Sequence, residues 1–218
     1  MVPGFYRHTI GKKAVMAVTG IILVGWIVGH MLGNVLIFRG PAAVNDYAAL
    51  LKSNGGLLWG LRAFMLLTLT LHVVAAIQLF QQQRAARPVG YARQVPQQST
   101  FASRTMRWGG LVLALFLVYH ILHLTTGTVH PAFSHTDVYS NMVRGLRVPW
   151  VAAIYLVAVG ALGLHLYHGM WSVFQSLGVS HPSITPMRRR LATGVAAVVY
   201  IGFTAIPLAI LFGLLDLR

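Results

Sequence analysis

The chain has 218 residues, of which 56% are hydrophobic and 9% charged, against about 25% charged in an ordinary soluble domain. Seventeen Lys and Arg face three acids, Asp46, Asp137 and Asp216, for a net charge of +14. In a polar chain that excess would point to nucleic acid; here the basic residues lie between long apolar runs, as juxtamembrane charges do. Cys is absent, which excludes disulfides, zinc–thiolate sites, cysteine-held Fe–S clusters and c-type haem attachment within this chain.

Five apolar runs reach the roughly 20 residues that cross a bilayer. In chain order they cover 14–38, 57–79, 108–128, 150–174 and 191–215. They predict an all-α fold, a polytopic membrane bundle of five transmembrane helices forming one domain over 1–218. The first run follows Lys12 and Lys13 and continues without an A-x-A exit, so it reads as a span and not as a cleavable signal. The links are short or moderate, and none is large enough to fold alone. The most polar joins the second and third runs, QQQRAARPVGYARQVPQQSTFASR.

Orientation follows from the Lys/Arg distribution. The side that holds the N-terminus carries eleven: Arg7, Lys12, Lys13, Arg84, Arg87, Arg93, Arg104, Arg107, Arg188, Arg189 and Arg190. The opposite side carries six: Arg39, Lys52, Arg62, Arg144, Arg147 and Arg218. The N-terminus is therefore expected in the cytoplasm and the C-terminus outside. A basic cytoplasmic face suits anionic lipid and a peripheral subunit equally.

Ten histidines need an explanation. His8, His130, His135 and His181 fall in the tail or loops and read as solvated polar residues. His30, His72, His120, His123, His165 and His168 lie in the first four runs, where a polar group is costly and marks a functional site. At a rise of about 1.5 Å per residue, His30 and His120 lie roughly 18–24 Å from the cytoplasmic ends of their spans. His72 and His165 lie roughly 12–14 Å from theirs. One histidine from each of four helices thus falls into two pairs at two depths. Such pairs can ligate a haem iron from both sides in the apolar core of a bundle, and two haems stacked along the membrane normal make an electron path. Zinc or a di-iron site would call for carboxylates or thiols beside the imidazoles; copper on histidines alone stays open.

Gly25, Gly29 and Gly33 make a smooth stripe on the first span, whose usual meaning is close helix packing. Close approach of a porphyrin face beside His30 is the alternative, and Gly160, Gly163 and Gly169 around His165 allow the same two readings. Trp26, Trp59, Trp108, Trp150 and Trp171 read mostly as an interfacial belt.

The segments GHMLGNVLIFRGPAAVNDYA, LHVVAAIQL, VYHILHLTTG and GLHLYHGMWSVFQSLG resemble the cytochrome b membrane subunit of succinate dehydrogenase and fumarate reductase, of the single-subunit, five-helix, di-haem kind. The resemblance runs over nearly the whole chain. It implies two haem b groups, His30 and His120 holding the outer and His72 and His165 the inner. It also implies a flavoprotein subunit and an iron–sulfur subunit on the cytoplasmic face of the cell inner membrane, and a quinone, commonly menaquinone, near the outer haem. His123, His168, Asn34 and Arg62 are candidates for propionate or quinone contact, with interhelical hydrogen bonding as the alternative. Some di-haem fumarate reductases carry a glutamate two residues before the fourth haem histidine. Here that place is Gly163 and the chain has no Glu, which favours succinate oxidation over fumarate reduction. The competing readings are a di-haem subunit of another respiratory complex and a haem-free transporter.

Overall fold

The computed structural model describes residues 2–86 and 100–217, and the described residues form helices and turns without strands. A short helix, α1 (Val2–Arg7), precedes α2 (Thr9–Val35), which a 3-10 turn prolongs to Arg39. There follow α3 (Pro41–Lys52), α4 (Gly55–Ala85), α5 (Phe101–Leu124), α6 (Val138–Leu146), α7 (Pro149–Ser176) and α8 (Thr185–Leu211). Among the described residues five helical stretches are long and apolar enough to cross a membrane, at Thr9–Arg39, Gly55–Ala85, Phe101–Leu124, Pro149–Ser176 and Pro182–Leu211. The chain is a multi-pass membrane protein.

Local chemistry sets the helix ends. Asn54 Oδ1 accepts from the Leu57 N–H at 3.0 Å, and Thr100 Oγ1 from the Ser103 N–H at 3.1 Å, satisfying donors that a first turn leaves free. α7 opens on Pro149, whose missing N–H costs nothing there. The third span ends at Leu124, four residues before the expected 128. The chain turns at Gly127 (φ +75°), where a Cβ would lie 2.3 Å from the Phe133 ring. The fifth span starts earlier and stops at Leu211, short of the expected 215; its helix runs on through Pro207. Most spans extend past the expected bounds at the N-terminal side, because basic residues such as Lys12, Lys13 and Arg84 continue the helices beyond the apolar stretch. The polar link with Arg87 and Arg93, and the terminal Arg218, lie outside the described residues.

α2 packs on α4, α7 and α8; α7 also packs on α5 and α8. At the end opposite the N-terminus, α3 and α6 lie against each other, and α6 rests on α5, α7 and α8. Ile37, Val44, Tyr139, Met142, Val143, Leu146, Val151, Tyr155, Ile206 and Ile210 form the buried core between this cap and the bundle. Its polar seam is closed: Asn45 donates to Asp137 Oδ1 and accepts from the Tyr139 N–H, both at 3.0 Å, and Tyr139 donates to the Asp216 carbonyl at 2.9 Å. The outer surface of the spans is apolar, with Leu57, Leu66, Leu67, Ile77 and Leu115 exposed. In lipid such a surface is solvated, while the helices close their own backbone hydrogen bonds.

Charge divides between the two ends. Asp46 lies in α3, Asp137 caps α6 and Asp216 follows α8, where it pairs with Arg147. On the N-terminal face Arg188 is 1% exposed; it donates to the Trp171 carbonyl at 3.0 Å and stacks 4.5 Å from the Trp171 ring. Trp171 therefore serves to seat an arginine, and Arg188 is a packing residue and not part of the free basic surface. Trp59, Trp108 and Trp150 are exposed near helix ends, as an interfacial belt requires.

Candidate functional site

Four of the six intramembrane histidines meet in the two predicted pairs. His30 on α2 faces His120 on α5 with ring centroids 5.9 Å apart and planes at 84°. His72 on α4 faces His165 on α7 at 6.4 Å and 60°. Two imidazoles bound trans to one metal, at bonds of about 2 Å with ring centres about 1.1 Å further out, have centroids about 6.3 Å apart. Both pairs match that spacing. Neither α2 and α5 nor α4 and α7 are close-packed partners, so each pair spans a gap between helices that do not themselves pack together. Along helices of about 1.5 Å rise, the first pair lies about 30 Å, and the second about 18 Å, from the helix ends on the N-terminal face.

Apolar and aromatic neighbours surround the pairs, and not every ring nitrogen is engaged. Buried polar atoms are ordinarily hydrogen-bonded, yet His165 Nδ1 is buried without a partner among the described residues. The side chain of Asn34 bonds the His30 carbonyl at 2.7 Å and reaches the His30 ring only at 3.4 Å. Trp26 and Phe203 lie 6.3 and 5.9 Å from the His30 ring. The glycine stripe divides. Gly33 packs on Tyr47, where a Cβ would lie 2.6 Å away, but none of the described residues lies within 4 Å of a Cβ at Gly25 or Gly29. Close helix packing holds at Gly33 and fails at the other two. Gly160 and Gly169 are likewise open, while Gly163 meets Tyr200. No group of three His, Cys, Asp or Glu gathers among the described residues; the site histidines meet in twos, which suits a porphyrin whose ring nitrogens fill the other positions.

The remaining histidines sort differently. His168 bonds Ser172 at 3.0 Å on its own helix, and Arg62 lies over the Trp59 ring at 4.8 Å. His8, His135 and His181 are exposed. His130 departs from the expectation of a solvated loop residue: it is 5% exposed, stacks on His123 with centroids 5.0 Å apart, and donates to the Asn141 carbonyl at 3.0 Å. The cap helix α6 covers it, a feature that the loop sequence does not announce. His123, 2% exposed, bonds the Tyr155 hydroxyl at 2.9 Å, and the same hydroxyl lies 3.3 Å from His120 Nδ1. Thr19 Oγ1 lies 3.1 Å from His72 Nδ1. Tyr155 and Thr19 carry no signal in the sequence, where each is one polar letter inside a long apolar run.

Comparison with known proteins bears on this arrangement. A family model described as the succinate dehydrogenase/fumarate reductase transmembrane subunit matches residues 81–206, more than half of the chain and including His120 and His165. The succinate dehydrogenase cytochrome b558 subunit of Bacillus subtilis (strain 168) is 24% identical over 196 residues, covering 88% of this chain and 91% of the relative. No solved structure matches. With five spanning helices in place and the match extending from the end of α4 into α8, the chain belongs to the succinate dehydrogenase/fumarate reductase transmembrane subunit family.

Proposed function

We propose that the chain is the membrane anchor and di-haem electron-transfer subunit of a succinate:quinone oxidoreductase, with His30 and His120 ligating an outer haem b and His72 and His165 an inner one. The observation that carries the reading is the pairing: two couples of imidazoles, 5.9 and 6.4 Å apart, at two depths. The N-terminal face is read as the cytoplasmic side of the cell inner membrane, because it holds most of the basic residues and none of the three acids. A flavoprotein and an iron–sulfur subunit dock there; the name of the Bacillus subtilis relative, a succinate dehydrogenase subunit, supports these partners.

When bound, the two haems supply one-electron carriers in series between the docked centres and a quinone, read here as menaquinone. The chain's own residues fix the four imidazoles, line the gaps between helices with apolar side chains that exclude water, and hold the assembly in lipid. The chain has no Glu, and its three Asp lie outside the spans. At Gly163, where some relatives place a glutamate, the neighbour is the Tyr200 ring. No carboxylate side chain of the protein lies inside the membrane to move a compensating proton, which favours succinate oxidation with quinone reduction.

Membranes holding the assembled complex test this. Succinate alone should reduce both haems, seen as b-type bands in the reduced-minus-oxidised spectrum, and added menaquinone analogue should reoxidise them. Absence of b-type bands would refute the reading and favour a haem-free transporter. Bands that ignore succinate would favour another respiratory complex.

A further inference from the structure

The second ring nitrogens of the paired histidines are not treated alike, and hydrogen-bond direction decides what each neighbour does. The Thr19 hydroxyl donates to the Val15 carbonyl at 2.7 Å, the usual back-bond of a helical threonine. Its one proton is thus committed, and its oxygen accepts from His72 Nδ1–H at 3.1 Å. At the other pair the Tyr155 hydroxyl has two histidine neighbours and one proton. An imidazole bound to iron gives its lone pair from one nitrogen and carries its proton on the other. His120, whose Nδ1 meets Tyr155, therefore donates Nδ1–H to the phenol oxygen at 3.3 Å. The phenol in turn donates to His123 Nδ1 at 2.9 Å. His123 is held by stacking on His130, whose own polarity is fixed: Nε2–H donates to the Asn141 carbonyl at 3.0 Å and Nδ1 accepts from the Ala132 N–H at 3.3 Å. Each direction agrees with the next. Among the described residues the opposite members lack such an acceptor: His165 Nδ1 has no partner, and the Asn34 amide nitrogen near the His30 ring is a donor.

From this geometry we infer that Thr19 and Tyr155 are positioning residues, one for each haem, which fix His72 and His120 as Nε2 ligands and strengthen them as donors to iron. Each iron then has one ligand whose second nitrogen meets a hydroxyl oxygen and one whose second nitrogen meets no acceptor among the described residues. The inference rests on the proposed ligation by the two histidine pairs. Its physical basis is that a ligating imidazole which donates its other N–H becomes a better base, and a better base favours ferric over ferrous iron. Removing the acceptor should therefore raise the midpoint potential of that haem alone.

The test is a redox titration of the purified complex, followed by haem absorption, in the unsubstituted protein and in Thr19→Val, Thr19→Ser, Tyr155→Phe and Thr68→Val. Loss of an outer partner of a metal-bound histidine commonly changes affinity by 10–100-fold. A tenfold loss of preference for ferric iron corresponds to about 59 mV for one electron. Thr19→Val should shift one of two redox waves upward by about that amount, and Tyr155→Phe should shift the other. Thr19→Ser, which keeps the hydroxyl, should restore the original potential. Thr68→Val should move neither wave, because the Thr68 hydroxyl is closed on the Phe64 carbonyl at 2.8 Å. The inference is overturned if both substitutions move the same wave, if neither moves a wave, or if Thr19→Ser behaves as Thr19→Val. If Thr19→Val loses a haem outright, retention and an unmoved wave in Thr19→Ser still support the hydroxyl's role, and loss in both overturns it. An unsubstituted protein with fewer than two b-type waves would instead defeat the ligation on which the inference rests.

Discussion

Gly145 on α6 is a position where a single methyl group should press directly on the histidines beside the outer pair. A Cβ there would lie 2.6 Å from His123 Cε1, 2.7 Å from His123 Nε2 and 3.2 Å from His130 Nε2. Carbon contacts are comfortable at about 3.5–4.0 Å, so Gly145→Ala requires the His123 ring to retreat by about 0.9 Å. The ring is held on three sides: by the Tyr155 hydroxyl at 2.9 Å, by the Tyr119 face with centroids 5.4 Å apart, and by His130 at 5.0 Å. A retreat of that size breaks a hydrogen bond or opens a stack, and overpacking of this kind costs about 1–3 kcal/mol. Equilibrium unfolding in mixed micelles measures it, for Gly145→Ala, His123→Ala and the double variant. Once the His123 ring is gone only the His130 contact remains, so the coupling between the two substitutions should be about 1–2 kcal/mol. Equal costs for Gly145→Ala with and without the His123 ring would refute the reasoning.

Single alanine substitutions separate ligands from their neighbours one turn away. His165→Ala should remove the inner haem and His120→Ala the outer, whereas His168→Ala and His123→Ala should keep both; haem content and difference spectra of the four variants, measured alike, decide it. Neutralising Arg93, Arg104 and Arg107 together should weaken retention of the peripheral subunits, more so at high salt, and retention at every salt concentration would show that charge does not hold them. Asp137→Ala should destabilise the cap by about 1 kcal/mol, because its carboxylate caps α6 through the Ser140 N–H at 3.0 Å. The same bonds to Ser140 hold its pKa below the ordinary 3.8, so its contribution is present at neutral pH and is lost as pH falls through and below 3.8. Unfolding of Asp137→Asn should therefore show a shallower loss of stability on acidification.

Much of the architecture is legible in the sequence because a bilayer imposes a length and a composition on whatever crosses it. Five runs are enough to predict five spans, and the depth ruler along each helix is enough to sort His30 with His120 and His72 with His165. Helix bounds are less legible: Lys12, Lys13 and Arg84 look like loop charges but continue the helices, since only their heads need to leave the apolar layer, and Arg188 continues α8 because Trp171 takes up its guanidinium. The cap formed by α3 and α6 falls in links that the sequence marks only as short or moderate. Its helices are short, and what holds them is the long-range seam of Asn45, Asp137 and Tyr139, which no local pattern reveals. His130 reads as solvated for the same reason. The glycine stripe carried two meanings that sequence alone left open, and Gly33 answers to one of them while Gly25 and Gly29 leave space beside the helix. Thr19 and Tyr155 stand at positions that an apolar run tolerates on packing grounds alone, so their orientation toward the histidines becomes visible only across helices.

The measurement that bears most directly on the central claim is the number of haems per chain. Pyridine haemochrome quantitation on the purified complex, set against chain concentration by amino-acid analysis, should return two haem b per chain, because the four histidines meet in two couples at 5.9 and 6.4 Å. One haem would mean that one of the couples is an interhelical contact with no iron between its rings. None would contradict the account as a whole.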